Sequence, residues 1–150
     1  MAENNKNKDE EFAIVRVRGF IDVGIDIERT LNQLNLYKKN YCVVVPANES
    51  YTGMVRKVND YVTWGEIDEE TYSILVEKRG EEHKRRLTDK KGKLNYNRFL
   101  DFKGRKMNRI FRLNSPKKGY GRKGIKIPFS KGGALGYRSD KINELIKRML

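Results

Sequence analysis

The sequence predicts a two-layer α+β domain followed by a strongly basic segment, and three observations carry that expectation. From residue 12 to residue 79 the apolar positions alternate between strand spacing and helical spacing, which reads as β-α-β-α-β with a third helix behind it. Polar residues suited to capping stand ahead of the helical stretches. Charge then divides the chain. Residues 1–83 hold 11 basic and 16 acidic side chains, net −5, whereas residues 84–126 hold 17 basic and two acidic ones, net +15.

The first strand is residues 12–18 (FAIVRVR), with Ala13, Val15 and Val17 on one face and Phe12, Ile14, Arg16 and Arg18 on the other. The two arginines point to a wet or RNA-facing side. Residues 27–36 place Ile27, Leu31 and Leu34 at helical spacing behind Asp26 as N-cap. Residues 41–45 (YCVVV), closed by Pro46, form the continuous β-branched run of a buried strand, which makes Cys42 a small core residue. Asn48 caps a second helix in which Tyr51, Met54, Val55 and Val58 share a face. Residues 61–67 (YVTWGEI) are a third strand, and Asp68 caps a third helix through Tyr72, Leu75 and Val76, with Gly80 at its C-terminal end. Helices covering one face of a small sheet satisfy this pattern.

Beyond residue 83 the periodicity weakens. Residues 95–103 read as a short helix through Tyr96, Phe99 and Leu100, and residues 109–113 and 125–129 as strands flanking a glycine-rich loop. Ser139 caps a last helix whose Ile142, Leu145, Ile146 and Met149 form one apolar stripe, for which either the chain's own core or a partner could provide the cover. The expected organisation is a disordered tail over residues 1–11, a core over 12–83, a basic RNA-binding extension over 84–138 and a terminal helix over 139–150.

Several functions are excluded at this level. A single cysteine allows no internal disulfide, and with His83 as the one histidine no Cys/His zinc site can form. No apolar run approaches the ~20 residues of a membrane span, and the polar first eleven residues lack a signal-peptide core, so a soluble cytoplasmic protein is expected. No serine or cysteine has a recognisable histidine partner, and His83, among charges at a helix end, reads as a solvated surface residue. No enzyme, metal or cofactor is expected.

A 43-residue block of net +15 repels itself and calls for a polyanion, which in the cytoplasm is nucleic acid. Within it Gly119, Gly121 and Gly124 match the spacing of a dinucleotide-binding turn, but Pro116, Lys117 and Lys118 precede them where a buried strand belongs, and no helix follows. The same stretch opens like an RNA-stacking strand, but Arg122 and Ile125 stand where aromatics are needed. What remains is a basic glycine-rich loop whose backbone amides can approach phosphates. Of the interleaved aromatics, Tyr120 is the candidate to stack on a base.

The residues then resemble a known family. Arg16 to Gly19, the run from Tyr51 through Gly53, Met54, Lys57, Asn59 and Asp60 to Gly65 and Glu66, the loop with Arg112, Leu113, Pro116 and Gly119, and the end with Gly132, Gly133, Leu135, Gly136, Asp140 and Met149 are similar to the L-thirty family of large-subunit ribosomal proteins in its long archaeal form. The resemblance implies a ferredoxin-like β-α-β-α-β core with a small antiparallel sheet and a basic C-terminal extension ending in a helix. It also implies a structural role in the large ribosomal subunit, bound to ribosomal RNA beside neighbouring ribosomal proteins, with no enzymatic activity, cofactor, membrane or small-molecule substrate. The expected RNA-binding residues are Arg16, Arg18, Lys84, Arg85, Arg86, Lys103, Arg105, Lys106, Arg109, Arg112, Lys117, Lys118, Tyr120, Arg122, Lys123 and Lys126. The alternatives are a free RNA chaperone or regulator, and an RNA-modifying enzyme.

Overall fold

A computed structural model describes residues 10–86, 88–93 and 99–150. The tail expected over residues 1–11 and the first part of the helix expected over 95–103, including Tyr96, lie largely outside the described residues. The elements are β1 (Glu11–Arg16), α1 (Ile25–Gln33), β2 (Tyr41–Pro46), α2 (Glu49–Lys57), β3 (Val62–Glu66), α3 (Glu69–Arg79), β4 (Leu100–Phe102), β5 (Arg105–Met107), β6 (Ile110–Arg112), β7 (Gly136–Tyr137) and α4 (Ile142–Met149). Five strands form one sheet in the order β6-β2-β1-β3-β7, and β4 and β5 form a separate hairpin. β1 lies antiparallel to both β2 and β3, with Ile14 opposite Val43 on one side and Trp64 on the other, and β7 adds a short parallel edge to β3.

Helices cover both faces of the sheet, not one as expected. On one face Ile14, Val43, Val45 and Trp64 pack against Leu31 of α1, Leu34 just after it and Val55 of α2. On the other, Ala13, Val15, Cys42, Val44 and Phe111 pack against Leu75 and Val76 of α3 and Ile142, Leu145, Ile146 and Met149 of α4. The reason is in β2, where Cys42, Val43, Val44 and Val45 put apolar groups on both sides and all four are buried. A strand of that kind requires cover above and below. The terminal helix supplies the second cover, so its stripe belongs to this chain's own core. Cys42 sits fully inside, where burial pushes its thiol up to about 12 and keeps it protonated.

The capping residues fall partly where expected. The Asn48 side chain accepts the Tyr51 amide at 2.9 Å and the Asp68 carboxylate accepts the Thr71 amide at 2.7 Å, and hydrogen bonding from Thr71 holds the Asp68 pKa below its usual value. Asp26 is not a cap: α1 begins two residues earlier, behind Gly24, and Asp26 lies in the first turn, where its charge suits the positive end of the helix dipole. Ser139 is not a cap either. It opens a 3-10 turn, Ser139–Lys141, with φ +56, and α4 continues directly from that turn. No strand forms over residues 125–129, where turns lead into a second 3-10 turn at Phe129–Lys131, and residues 100–102 are strand β4 and not part of a helix.

Asn143 joins α4 to the start of α3. Its buried amide oxygen accepts the Asp68 amide at 3.0 Å, while its nitrogen donates to the carbonyls of Glu66 (3.2 Å) and Asp140 (2.8 Å). Asn143→Ala leaves these groups without a partner and is expected to cost about 1–3 kcal/mol, a fall of roughly 3–10 °C in melting temperature. A melting curve within 1 °C of the parent would show that water replaces the amide at no cost.

Candidate nucleic-acid interface

The basic block is built onto the sheet edge. β6 pairs with β2 through Tyr41–Arg112, Cys42–Phe111 and Val43–Ile110, so it brings the segments before and after it against the core. Before it stands the β4–β5 hairpin, which turns through Lys103 (φ +50) and Gly104 (φ +79), the positive pair that a two-residue hairpin loop favours. The hairpin is held by Phe102 edge-on to Tyr72 of α3 at 5.5 Å, by the His83 amide donating to the Lys106 carbonyl (2.9 Å), and by the Asn108 amide donating to the Glu81 carbonyl (2.8 Å). Lys84, Arg85, Arg86, Lys103, Arg105 and Lys106 are thereby exposed on neighbouring segments. Within this group Arg112 is paired with Glu81, which raises its pKa through that hydrogen bond, and Arg109 is half-buried.

After β6 comes the glycine-rich loop, which carries Lys117, Lys118, Arg122, Lys123 and Lys126, all exposed. Two arginines that the sequence did not single out hold it in shape. Arg148 of α4 donates through Nη1 to the carbonyls of Lys117 (3.1 Å) and Gly119 (2.7 Å). Arg138 is only 4% exposed, and its guanidinium donates to Thr63 Oγ1 (2.6 Å), Ala134 O (3.0 Å) and Tyr120 O (3.2 Å) while lying 4.7 Å from the Phe129 ring centre. Burial, with the neighbouring Arg148 adding to it, brings Arg138 down to about 10, so it remains a cation at neutral pH. Gly133 explains part of the glycine content: a Cβ there would lie 2.0 Å from the Ile127 carbonyl oxygen. The loop is a folded piece with its cations outward.

Two expected site residues, Arg16 and Tyr120, are placed otherwise, and so is His83, expected on the solvated surface. Arg16 is 2% exposed and donates to the carbonyls of Leu36 (2.7 Å), Arg18 (3.0 Å) and Gly19 (3.2 Å), so its head group closes the end of β1 and leaves no surface for RNA. Tyr120 turns inward: it is half-buried, its hydroxyl donates to Asn40 Oδ1, and burial raises its pKa to about 12. Through that hydroxyl it anchors the loop to the turn before β2. His83 is half-buried, not solvated, with Nδ1 3.1 Å from Asn108 Oδ1 and its ring 6.0 Å from Phe99. Arg18 stays partly exposed, its guanidinium 5.0 Å from the Tyr61 ring centre.

The arrangement offers cations on folded elements. Among the described residues no cluster of His, Cys, Asp and Glu could hold a metal ion, and no helix is long and apolar enough to cross a membrane. Residues 12–62 match the family described as ribosomal protein L30p/L7e. The chain is 45% identical over 155 residues to the large ribosomal subunit protein uL30 of Nanoarchaeum equitans, covering 93% of this chain and 98% of that protein. It is 44% identical over 152 residues to the protein of that name from Methanococcus maripaludis, with 93% and 99% covered, and 39% identical over 164 residues to that of Staphylothermus marinus, with 93% and 98% covered.

Proposed function

Because the chain belongs to the ribosomal protein L30p/L7e family, we propose that it serves as a structural constituent of the large ribosomal subunit and holds ribosomal RNA through its basic hairpin and glycine-rich loop. The observation that carries the RNA contact is the net +15 of residues 84–126, displayed largely on exposed side chains of folded segments. The sheet with its two helical layers is the rigid support. The exposed cations neutralise phosphates that would otherwise repel as RNA helices approach one another, releasing counterions as they do so. RNA shape, more than base edges, sets the fit of such a surface.

The contact residues on this reading are Arg18, Lys84, Arg85, Arg86, Lys103, Arg105, Lys106, Arg109, Lys117, Lys118, Arg122, Lys123 and Lys126, with Arg112 reaching RNA beside Glu81. Neighbouring ribosomal proteins are the second class of partner. In a sucrose gradient of cell lysate, the chain is expected to migrate in stoichiometric amount with the large subunit and to stay there through a moderate salt wash. Recovery mainly in the light fractions would instead favour a free RNA-binding regulator.

A further inference from the structure

A cleft of about 710 Å3 lies beside β6, within the roughly 300–1,000 Å3 span of ligand clefts. One wall is the turn between α1 and β2, the other the segment after α3, and Ile110 contributes to its lining. On the first wall stands Tyr37, an aromatic side chain that is 47% exposed and belongs to neither helical layer of the core. It is nonetheless held in place. Its hydroxyl donates to Asn35 Oδ1 at 3.0 Å, and the turn that carries it is bounded by Asn35 (φ +61) and Asn40 (φ +67), two left-handed positions that asparagine tolerates better than most residues. Lys38 and Lys39 follow it, both exposed.

The opposite wall presents Arg85 and Arg109, and the carboxylate lining the cleft, Glu81, is already held by Arg112. A planar ring fixed at the rim with exposed Lys38 and Lys39 next to it in the chain, amides from Asn35 and Asn108, and arginines on the opposite wall suit a ligand that is flat, polar at its edge and anionic at its ends. That describes one unstacked nucleotide with its flanking phosphates. The cleft also shares Arg85, Arg109 and Arg112 with the basic surface, so a strand lying on that surface passes its mouth.

We propose that this cleft receives a single unpaired nucleotide of the RNA, stacked on Tyr37, with Lys38, Lys39 and Arg85 on its phosphates. The inference rests on the reading that the chain binds ribosomal RNA, and adds to it a point where a base, not only the backbone, is recognised. Because the Tyr37 ring lies outside the core, Tyr37→Ala is expected to fold with an unchanged melting temperature.

The test uses the full chain and transcribed large-subunit ribosomal RNA. Tyr37→Ala should weaken binding roughly 5- to 100-fold, the range for losing one stacked base, with the salt dependence unchanged, while Tyr37→Phe keeps most of the affinity. Dimethyl sulfate probing should reveal one or two unpaired bases protected by the parent and by Tyr37→Phe but open with Tyr37→Ala. Binding within twofold of the parent, or an identical protection pattern, overturns the cleft while leaving the RNA-binding reading intact. No binding by the parent chain would overturn the RNA-binding reading itself. Adenosine monophosphate serves as a second probe: tight binding that depends on Tyr37 without any effect of Tyr37 on RNA affinity would make this a free-nucleotide site and overturn the proposal.

Discussion

Replacing Gly65 by alanine is expected to lower the melting temperature by roughly 6–12 °C, a large loss for the addition of one methyl group. Gly65 lies in β3, and a Cβ built on it would stand 2.0 Å from the Ser139 carbonyl oxygen and 3.1 Å from Ile142 Cγ2. The nearest obstacle is backbone, so no side-chain rotation relieves it. The turn that carries Ser139 is fixed on both sides, by the Arg138 amide donating to the Trp64 carbonyl at 2.8 Å and by the Asn143 side-chain amide donating to the Asp140 carbonyl at 2.8 Å. Making room means lifting residues 139–142 off β3, which loosens Ile142, Leu145, Ile146 and Met149, all fully buried. Overpacking of this kind costs about 3 kcal/mol.

Gly53 is the control. It lies exposed inside α2, and a Cβ there meets nothing within 4 Å, so Gly53→Ala should stabilise by about 0.5–1 kcal/mol through helix propensity alone. Circular-dichroism melts of both variants check the pair. Shifts of the same sign would show that propensity, and not the approach of the 3-10 turn, sets the requirement for glycine at position 65.

The contrast between these two glycines also marks what a sequence can and cannot convey. Strands and helices up to Arg79 were legible because their signals are local: the β-branched run at 41–45, the Asn48 and Asp68 caps, and the apolar spacing of α1, α2 and α3. The second helical layer was only half legible. The stripe on α4 announced a buried face, but what it covers is β2, a hundred residues earlier, and only the two-sided burial of Cys42 to Val45 resolves that. Arg16 and Arg138 look in the sequence like the other arginines. Their roles arise from the carbonyls that happen to surround them, those of Leu36, Arg18 and Gly19 for one and of Tyr120 and Ala134 for the other, and no spacing encodes that. Tyr120 is ambiguous for the same reason. An aromatic residue between basic neighbours suits RNA equally well or serves as an anchor, and no local signal announces that its hydroxyl is taken by the Asn40 side chain 80 positions away.

The largest effect on binding is expected from neutralising Lys117, Lys118, Arg122 and Lys123 together, as glutamines. All four are exposed, and the loop keeps its shape through Arg138, Arg148 and Tyr120, none of which the substitutions touch. The melting temperature should therefore stay within about 2 °C of the parent, which separates loss of charge from loss of fold. Each phosphate contact adds about 0.7–0.9 to the slope of log affinity against log salt. If all four cations reach phosphates, that slope falls by roughly 3, and affinity for large-subunit RNA at physiological salt falls on the order of a hundred- to a thousandfold. Intermediate slopes count the cations that reach the backbone. A slope equal to the parent's would remove the loop from the interface and leave the hairpin with Lys84, Arg85 and Arg86 to carry it. Because Tyr37→Ala is expected to lower affinity at constant slope, the two sets of variants separate charge neutralisation from base stacking on the same RNA.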